Sequence, residues 1–178
     1  MKKIIFFDGD GTLWYPKKTK HKKGAWWIYK LPGSYKEHNK HLILTPTTFS
    51  TLKKLKKKGI ITVIISTHPH PPKEAEVILR EKIRHFKLKG LFDEVIATPD
   101  SGFYKNKGRT IVKILKKKKI PKSKALMVGD NYVWDYKPAR DYGIDAVLIE
   151  TEHHSKKHPI AKRIKNKITN LKDVLKFV

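Results

Sequence analysis

One stretch near the start limits the folds open to this chain more than any other. The apolar run Ile4-Ile5-Phe6-Phe7 breaks into Asp8-Gly9-Asp10-Gly11-Thr12. Four residues are too few for a helix, and β-branched and aromatic side chains favour a buried strand. Glycines flank Asp10, so the backbone can turn sharply just past the strand. Two carboxylates then stand at the strand's C-terminal end, the edge where open parallel sheets gather their chemistry. Like charges so close are unfavourable unless a cation joins them or one takes a proton. The pattern points to a metal-bound, acid–base or nucleophilic site. The plain alternatives are an Asp-Gly turn and a calcium loop. The calcium loop fits poorly, because a strand precedes the motif and its twelfth position is Thr19 instead of Glu.

The rest of the chain alternates strand and helix signals. Residues 14–45 hold Trp14, Tyr15, Trp26, Trp27, Tyr29 and Tyr35 among lysines and histidines. Residues 26–29 and 41–44 read as two short strands of a hairpin. The aromatic and cationic side chains suit a base, ring or phosphate, or else form the segment's own small core, which is the reading preferred here. Thr45 is the expected N-cap of a helix with Pro46 at its start, and Gly59 ends it. A buried strand over 60–65 closes on Ser66-Thr67. Pro71 and Pro72 lead into a helix with Ala75, Ile78, Leu79, Ile83 and Phe86 on its apolar face. A strand over 94–97, a polar loop over 98–107 and a helix over 108–118 follow. Residues 125–128 form a fourth strand ending at Gly129-Asp130. A short helix over 134–142 and a fifth strand over 146–149 precede a basic connector over 153–165. Residues 167–169 read as an edge strand, and Asn170 caps a last helix through Phe177. This alternation predicts an α/β fold, a central parallel sheet covered by helices on both faces.

The 178 residues suit one domain with a real core. Cysteine is absent, which excludes disulfides, thiol catalysis and Cys-ligated zinc. No run approaches the ~20 apolar residues of a membrane span, and the first apolar run is too short for a signal peptide. A cytoplasmic protein without membrane contact is the expectation. Lys and Arg number 41 against 16 Asp and Glu, a formal net charge of +25. Charge of that size speaks to partners rather than fold. It reads as solvated helix ends and loops, or as attraction to polyanions including nucleic acid.

Four chemistry-bearing positions fall at or after predicted strand ends: Asp8 with Asp10, Ser66, Lys105 or Lys107, and Asp130 with Asp135. In a parallel sheet these ends share one edge. The stretches FFDGDGTLW, VIIST, YKNKG and MVGDNYVWD stand in the order of the haloacid dehalogenase superfamily, and the chain resembles its phosphatase branch over roughly residues 3 to 150. The lack of a large insertion is similar to the small magnesium-dependent phosphatases. Polynucleotide 3′-phosphatases and histidinol phosphatases share the minimal plan, though the absent cysteines disfavour the latter. The resemblance implies a three-layer α/β/α Rossmann-like fold with strand order 5-4-1-2-3 and residues 14–45 as a minimal cap, while residues 150–178 read as a basic C-terminal segment packing on the core. It implies Asp8 as nucleophile and Asp10 as general acid, then base. Ser66, with Thr67 as its neighbour in contention, would bind a phosphoryl oxygen. Lys107, with Lys105 as rival, would neutralise phosphate charge. Mg2+ would sit on Asp8, the Asp10 backbone carbonyl and Asp130, with Asp135 holding its waters. His68 and His70 read as exposed loop residues or substrate contacts, with the exposed loop preferred. The expected activity is hydrolysis of a small phosphomonoester through an aspartyl phosphate. A polynucleotide-end phosphatase and a non-catalytic nucleic-acid-binding protein are the alternatives. Oligomeric state is not legible.

Overall fold

The computed structural model describes the chain except residues 30, 32–34, 100–104, 153–159 and 161–162. Much of the predicted polar loop and most of the basic connector therefore lie outside the described residues. Strand β1, Ile4–Phe7, is the central strand of a six-stranded sheet. It pairs in parallel with β4, Ile61–His68, and with β6, Ala125–Gly129. Beyond β4 lies β5, Glu94–Pro99; beyond β6 lie β7, Asp145–Ile149, and the short β8, Lys167–Ile168. Counted over this sheet alone, the order 5-4-1-2-3 is recovered when read from the opposite edge. It differs by the added strand β8.

Alternation along β1 divides the core. Ile5 and Phe7 face one side, where they meet helix α3, Thr48–Lys57, and helix α4, Pro72–His85. Ile4 and Phe6 face the other, against α5, Asn106–Lys117, and α6, Lys137–Asp141. All four β1 side chains are fully buried, as a strand covered on both faces requires. The C-terminal 3₁₀ turns, Leu171–Phe177, bury Leu171 and Val174 on the α3 side, and Asn170 caps them by accepting from Lys172 N–H.

Several local expectations change. Trp26–Tyr29 is one helical turn, α1, not a strand, and it buries Ile28; a second short helix, α2, spans Tyr35–Asn39. A four-residue apolar run does not separate strand from helix by periodicity. Strand β3, Leu42–Leu44, instead pairs antiparallel with β2, Trp14–Pro16, Trp14 opposite Leu44. Helix α3 begins after Thr47 rather than at Thr45. The Thr45 N–H is committed to the Leu13 carbonyl at 2.9 Å, which ties the segment's exit to its entry. Strand β4 runs on through Ser66 and Thr67 to His68, because β5 continues beside it to Pro99. His68 is therefore buried, not an exposed loop residue. Helix α5 starts at Asn106, which puts Lys107 in its first turn instead of a loop.

Candidate active site

Asp8 directly follows β1, and its N–H donates to the Val128 carbonyl at 2.9 Å, so β1 and β6 fix its backbone together. Asp130 directly follows β6. Asp135 sits in a single wide turn, Tyr132–Tyr136, set up by Asn131. The Asn131 side chain accepts from the Val133 and Trp134 N–H groups at 3.0 and 3.2 Å, and its own N–H donates to Asp135 Oδ2 at 3.0 Å. Carboxylate oxygens of Asp8, Asp130 and Asp135 lie within 4.8 Å of one another, all three residues buried. Lys107 reaches in from α5 and donates to Asp8 Oδ1 at 2.8 Å and Asp135 Oδ1 at 2.5 Å.

Glycine permits this convergence. A Cβ on Gly11, which has φ +89°, would lie 2.2 Å from Asp130 Oδ2. A Cβ on Gly129 would lie 2.3 Å from Asp135 Oδ2. The carboxylates can close on the backbone only where no side chain stands.

The Asp10 carboxylate stands outside that cluster. Oδ1 accepts from Trp14 Nε1 at 2.6 Å and from Lys82 Nζ at 3.0 Å. Oδ2 accepts from the Tyr29 hydroxyl, which in turn accepts from Lys82. Burial pushes the Asp10 carboxyl up, but the Lys82 charge and the Tyr29 hydrogen bond outweigh it and hold the carboxyl below its ordinary range. Burial and the Asp10 charge push the Tyr29 phenol well above its usual value, so it stays a donor.

The other predicted positions separate cleanly. Ser66 is buried with its hydroxyl beside Gly9: a Cβ there would lie 3.4 Å from Ser66 Oγ. Thr67 turns to β5 and shares a hydrogen bond with Thr98 at 3.1 Å. Lys105 directly precedes α5 and is half-buried, and it is Lys107, two residues on, that reaches the carboxylates. His68 packs its ring edge-on to Tyr29 at 4.9 Å, and His70 lies 5.1 Å from His68. Burial, then the Lys82 charge, lower His68 to about 3, so it is neutral. Sequence gives no sign of Lys82 or Asn131, and it names Trp14 and Tyr29 only among the aromatics of residues 14–45, with no link to Asp10. Only Trp14, four residues from Asp10, gave a local hint.

The donor set fits a hard divalent cation. Every candidate ligand is oxygen, the class magnesium and calcium take. Three carboxylates against one ammonium leave two negative charges in a buried site, which a divalent cation neutralises. Burial, then Asp135, raise Asp8 to about 7 despite Lys107, and burial and Asp8 raise Asp130 well above its usual value. A cation on the same oxygens would reverse both shifts.

A family model described as haloacid dehalogenase-like hydrolase matches residues 7–149. A glyceraldehyde 3-phosphate phosphatase from Methanothermobacter thermautotrophicus is 30% identical over 136 residues, 73% of this chain and 58% of that protein. The chain thus spans little more than half of that relative's length. Among solved structures, a HAD-superfamily hydrolase from Geobacter sulfurreducens superimposes with a TM-score of 0.71 at 14% identity, covering 100% of both chains. A HAD phosphatase from Thermococcus onnurineus superimposes with a TM-score of 0.68 at 20% identity, covering 99% of this chain and 97% of that one. At such identities the superpositions speak to fold alone.

Proposed function

The chain belongs to the haloacid dehalogenase-like hydrolases, and from that premise we propose that it is a magnesium-dependent phosphomonoesterase that works through an aspartyl phosphate on Asp8. The observation that carries the reading is the buried meeting of Asp8, Asp130 and Asp135 with the Lys107 ammonium at one sheet edge. Asp8, Asp130 and the Asp10 backbone carbonyl would hold the cation, with Asp135 steadying its waters. The bound cation supplies positive charge that offsets repulsion between a phosphate dianion and an anionic nucleophile.

The chain's own groups then divide the work. Asp8 attacks phosphorus, so an Asp8 O–P bond forms as the ester P–O bond breaks. Lys107 aims Asp8 and takes up charge on the phosphoryl oxygens. Ser66 donates to one of those oxygens. Asp10 gives its proton to the departing alcohol, then removes one from the water that attacks phosphorus and frees Asp8. With no substrate, Lys82 and Tyr29 keep Asp10 ionised, the form needed for the second step. An arriving dianion adds negative charge nearby and favours its protonation for the first.

Turnover of p-nitrophenyl phosphate with magnesium tests the reading. Wild type should release phosphate, Asp8→Asn should not, and chelation should abolish turnover until magnesium is restored. Background-level release by wild type across a panel of phosphate esters would overturn it.

A further inference from the structure

A cleft of about 330 Å³ lies two strands from β1, where the C-terminal half of α4 and the loop after it meet the start of the edge strand β5. Its floor is apolar, made by Ile83, Leu88, Phe92 and Val95, and none of the groups in the proposed reaction lines it. The floor belongs to the packed core. Phe92 sets its ring edge-on to Phe7 with ring centres 6.5 Å apart. Leu88 has no exposed surface, and its N–H donates to the Ile83 carbonyl at 2.8 Å, which ties the loop to α4. The walls are therefore fixed before a ligand arrives.

The rim is cationic. Arg80 and Arg84 stand about one turn apart on α4, and Lys89 comes from the loop. All three are exposed, and among the described residues no carboxylate lines the cleft. Arg84 donates to Glu81 at 2.8 and 3.0 Å, a solvent-screened pair of little energetic weight. Arg80 and Lys89 have no carboxylate partner among the described residues. A largely apolar floor with a few charges at its edge is how small-molecule sites are built, and the volume suits a body of one or two rings. Among the described residues eight line the cleft, against the roughly 20–30 a side of a stable protein interface.

We infer that this cleft is a second ligand site, for a small molecule that joins an aromatic or other apolar body to an anionic group. The body covers the apolar floor, and the anion meets the cations at the rim. The inference does not depend on the phosphomonoesterase reading. Two solvent-screened cations give a modest gain in affinity, on the order of tenfold together.

The probe is 8-anilinonaphthalene-1-sulfonate, whose fluorescence rises in apolar surroundings, titrated into the intact chain. N-phenyl-1-naphthylamine carries the same rings without the sulfonate. The sulfonate should bind saturably, one per chain, and about tenfold more tightly than the amine. Arg80→Gln/Lys89→Gln should weaken the sulfonate about tenfold and leave the amine unchanged. Lys53→Gln/Lys57→Gln removes the same charge from exposed positions on α3 and should leave both affinities unchanged. Equal losses in the two double variants would make the effect one of net charge and overturn the inference, as would the absence of saturable binding to wild type. Displacement of the dye by an acidic, phenylalanine-bearing peptide at lower concentration than by naphthalene-1-sulfonate would assign the cleft to a protein partner, and would overturn it too.

Discussion

Lys82 has no exposed surface, yet it carries an ammonium group. Burying a charge is unfavourable unless it is paired and hydrogen-bonded, and here Asp10, Tyr29 and the face of Tyr29's ring supply both. Its place on α4 was not legible, because one lysine among 41 basic residues reads as solvated. The apolar pattern of that helix named Ala75, Ile78, Leu79 and Ile83 correctly and passed over the polar residue on the same buried face. If Lys82 positions Asp10, its loss should depend on the leaving group. Nitrophenolate departs without a proton, whereas an alkoxide needs one. Lys82→Met should therefore depress kcat on an alkyl phosphate more than on p-nitrophenyl phosphate, by a factor approaching the ~10²-fold lower end of acid–base catalysis. Equal losses on both would mean a structural role only. Gly11 is a second residue-scale case. Its flanking of Asp10 was legible as a turn, but the nearness of Asp130 was not, since sequence does not show which distant residue closes on a turn. Gly11→Ala places a methyl group against Asp130 at a positive φ, and should remove turnover in the magnesium assay while circular dichroism still reports the fold.

At the level of elements, an apolar run is legible when a turn signal bounds it, and a short run without one is not. Strands β1 and β6 announced themselves by apolar runs ending in Gly-Asp or Asp-Gly, and their edge carries the site. The turn Trp26–Tyr29 has too few residues to show a period, and its conformation is decided by Ile28 finding the core. Strand β4 ran past its apolar stretch because hydrogen bonding to β5, not burial alone, sets its length. Its other end depends on Asp93, which accepts from the Thr62 N–H at 2.8 Å and from Lys56 at 2.6 Å. Burial raises that carboxyl, but the Lys56 and Thr62 hydrogen bonds prevail and leave it below its ordinary value. A lowered folded-state pKa stabilises above the unfolded value of 3.8 and loses that effect as pH falls through the folded one. Asp93→Asn should thus lower Tm at neutral pH, by a few degrees for a contribution of about 1 kcal/mol in a partly exposed site. The gap to wild type should narrow near pH 3. Thermal unfolding followed at both pH values checks this, and a constant gap would argue against the carboxylate as its source.

For the whole molecule, the formal charge of +25 surrounds a site whose buried floor is acidic. The proposed reaction needs only a few of the 41 basic side chains, so most act together as a field. That field repels itself in the folded state. Raising salt from about 10 mM to about 150 mM shortens the Debye length from about 30 Å to about 8 Å and should raise Tm. The same field draws in polyanions, which is why polynucleotide ends stood as an alternative substrate. Salt separates the two readings by slope. A small ester touches few cations, so its log kcat/KM should fall only gently with log salt. A single-stranded oligonucleotide releases counterions at each phosphate contact, with a slope near −0.7 per contact. The small-ester reading expects the gentle slope together with the higher rate. A 3′-phosphorylated oligonucleotide that was hydrolysed faster at low salt, and lost that advantage along the steep line, would assign the basic surface to substrate binding and move the function to nucleic-acid ends.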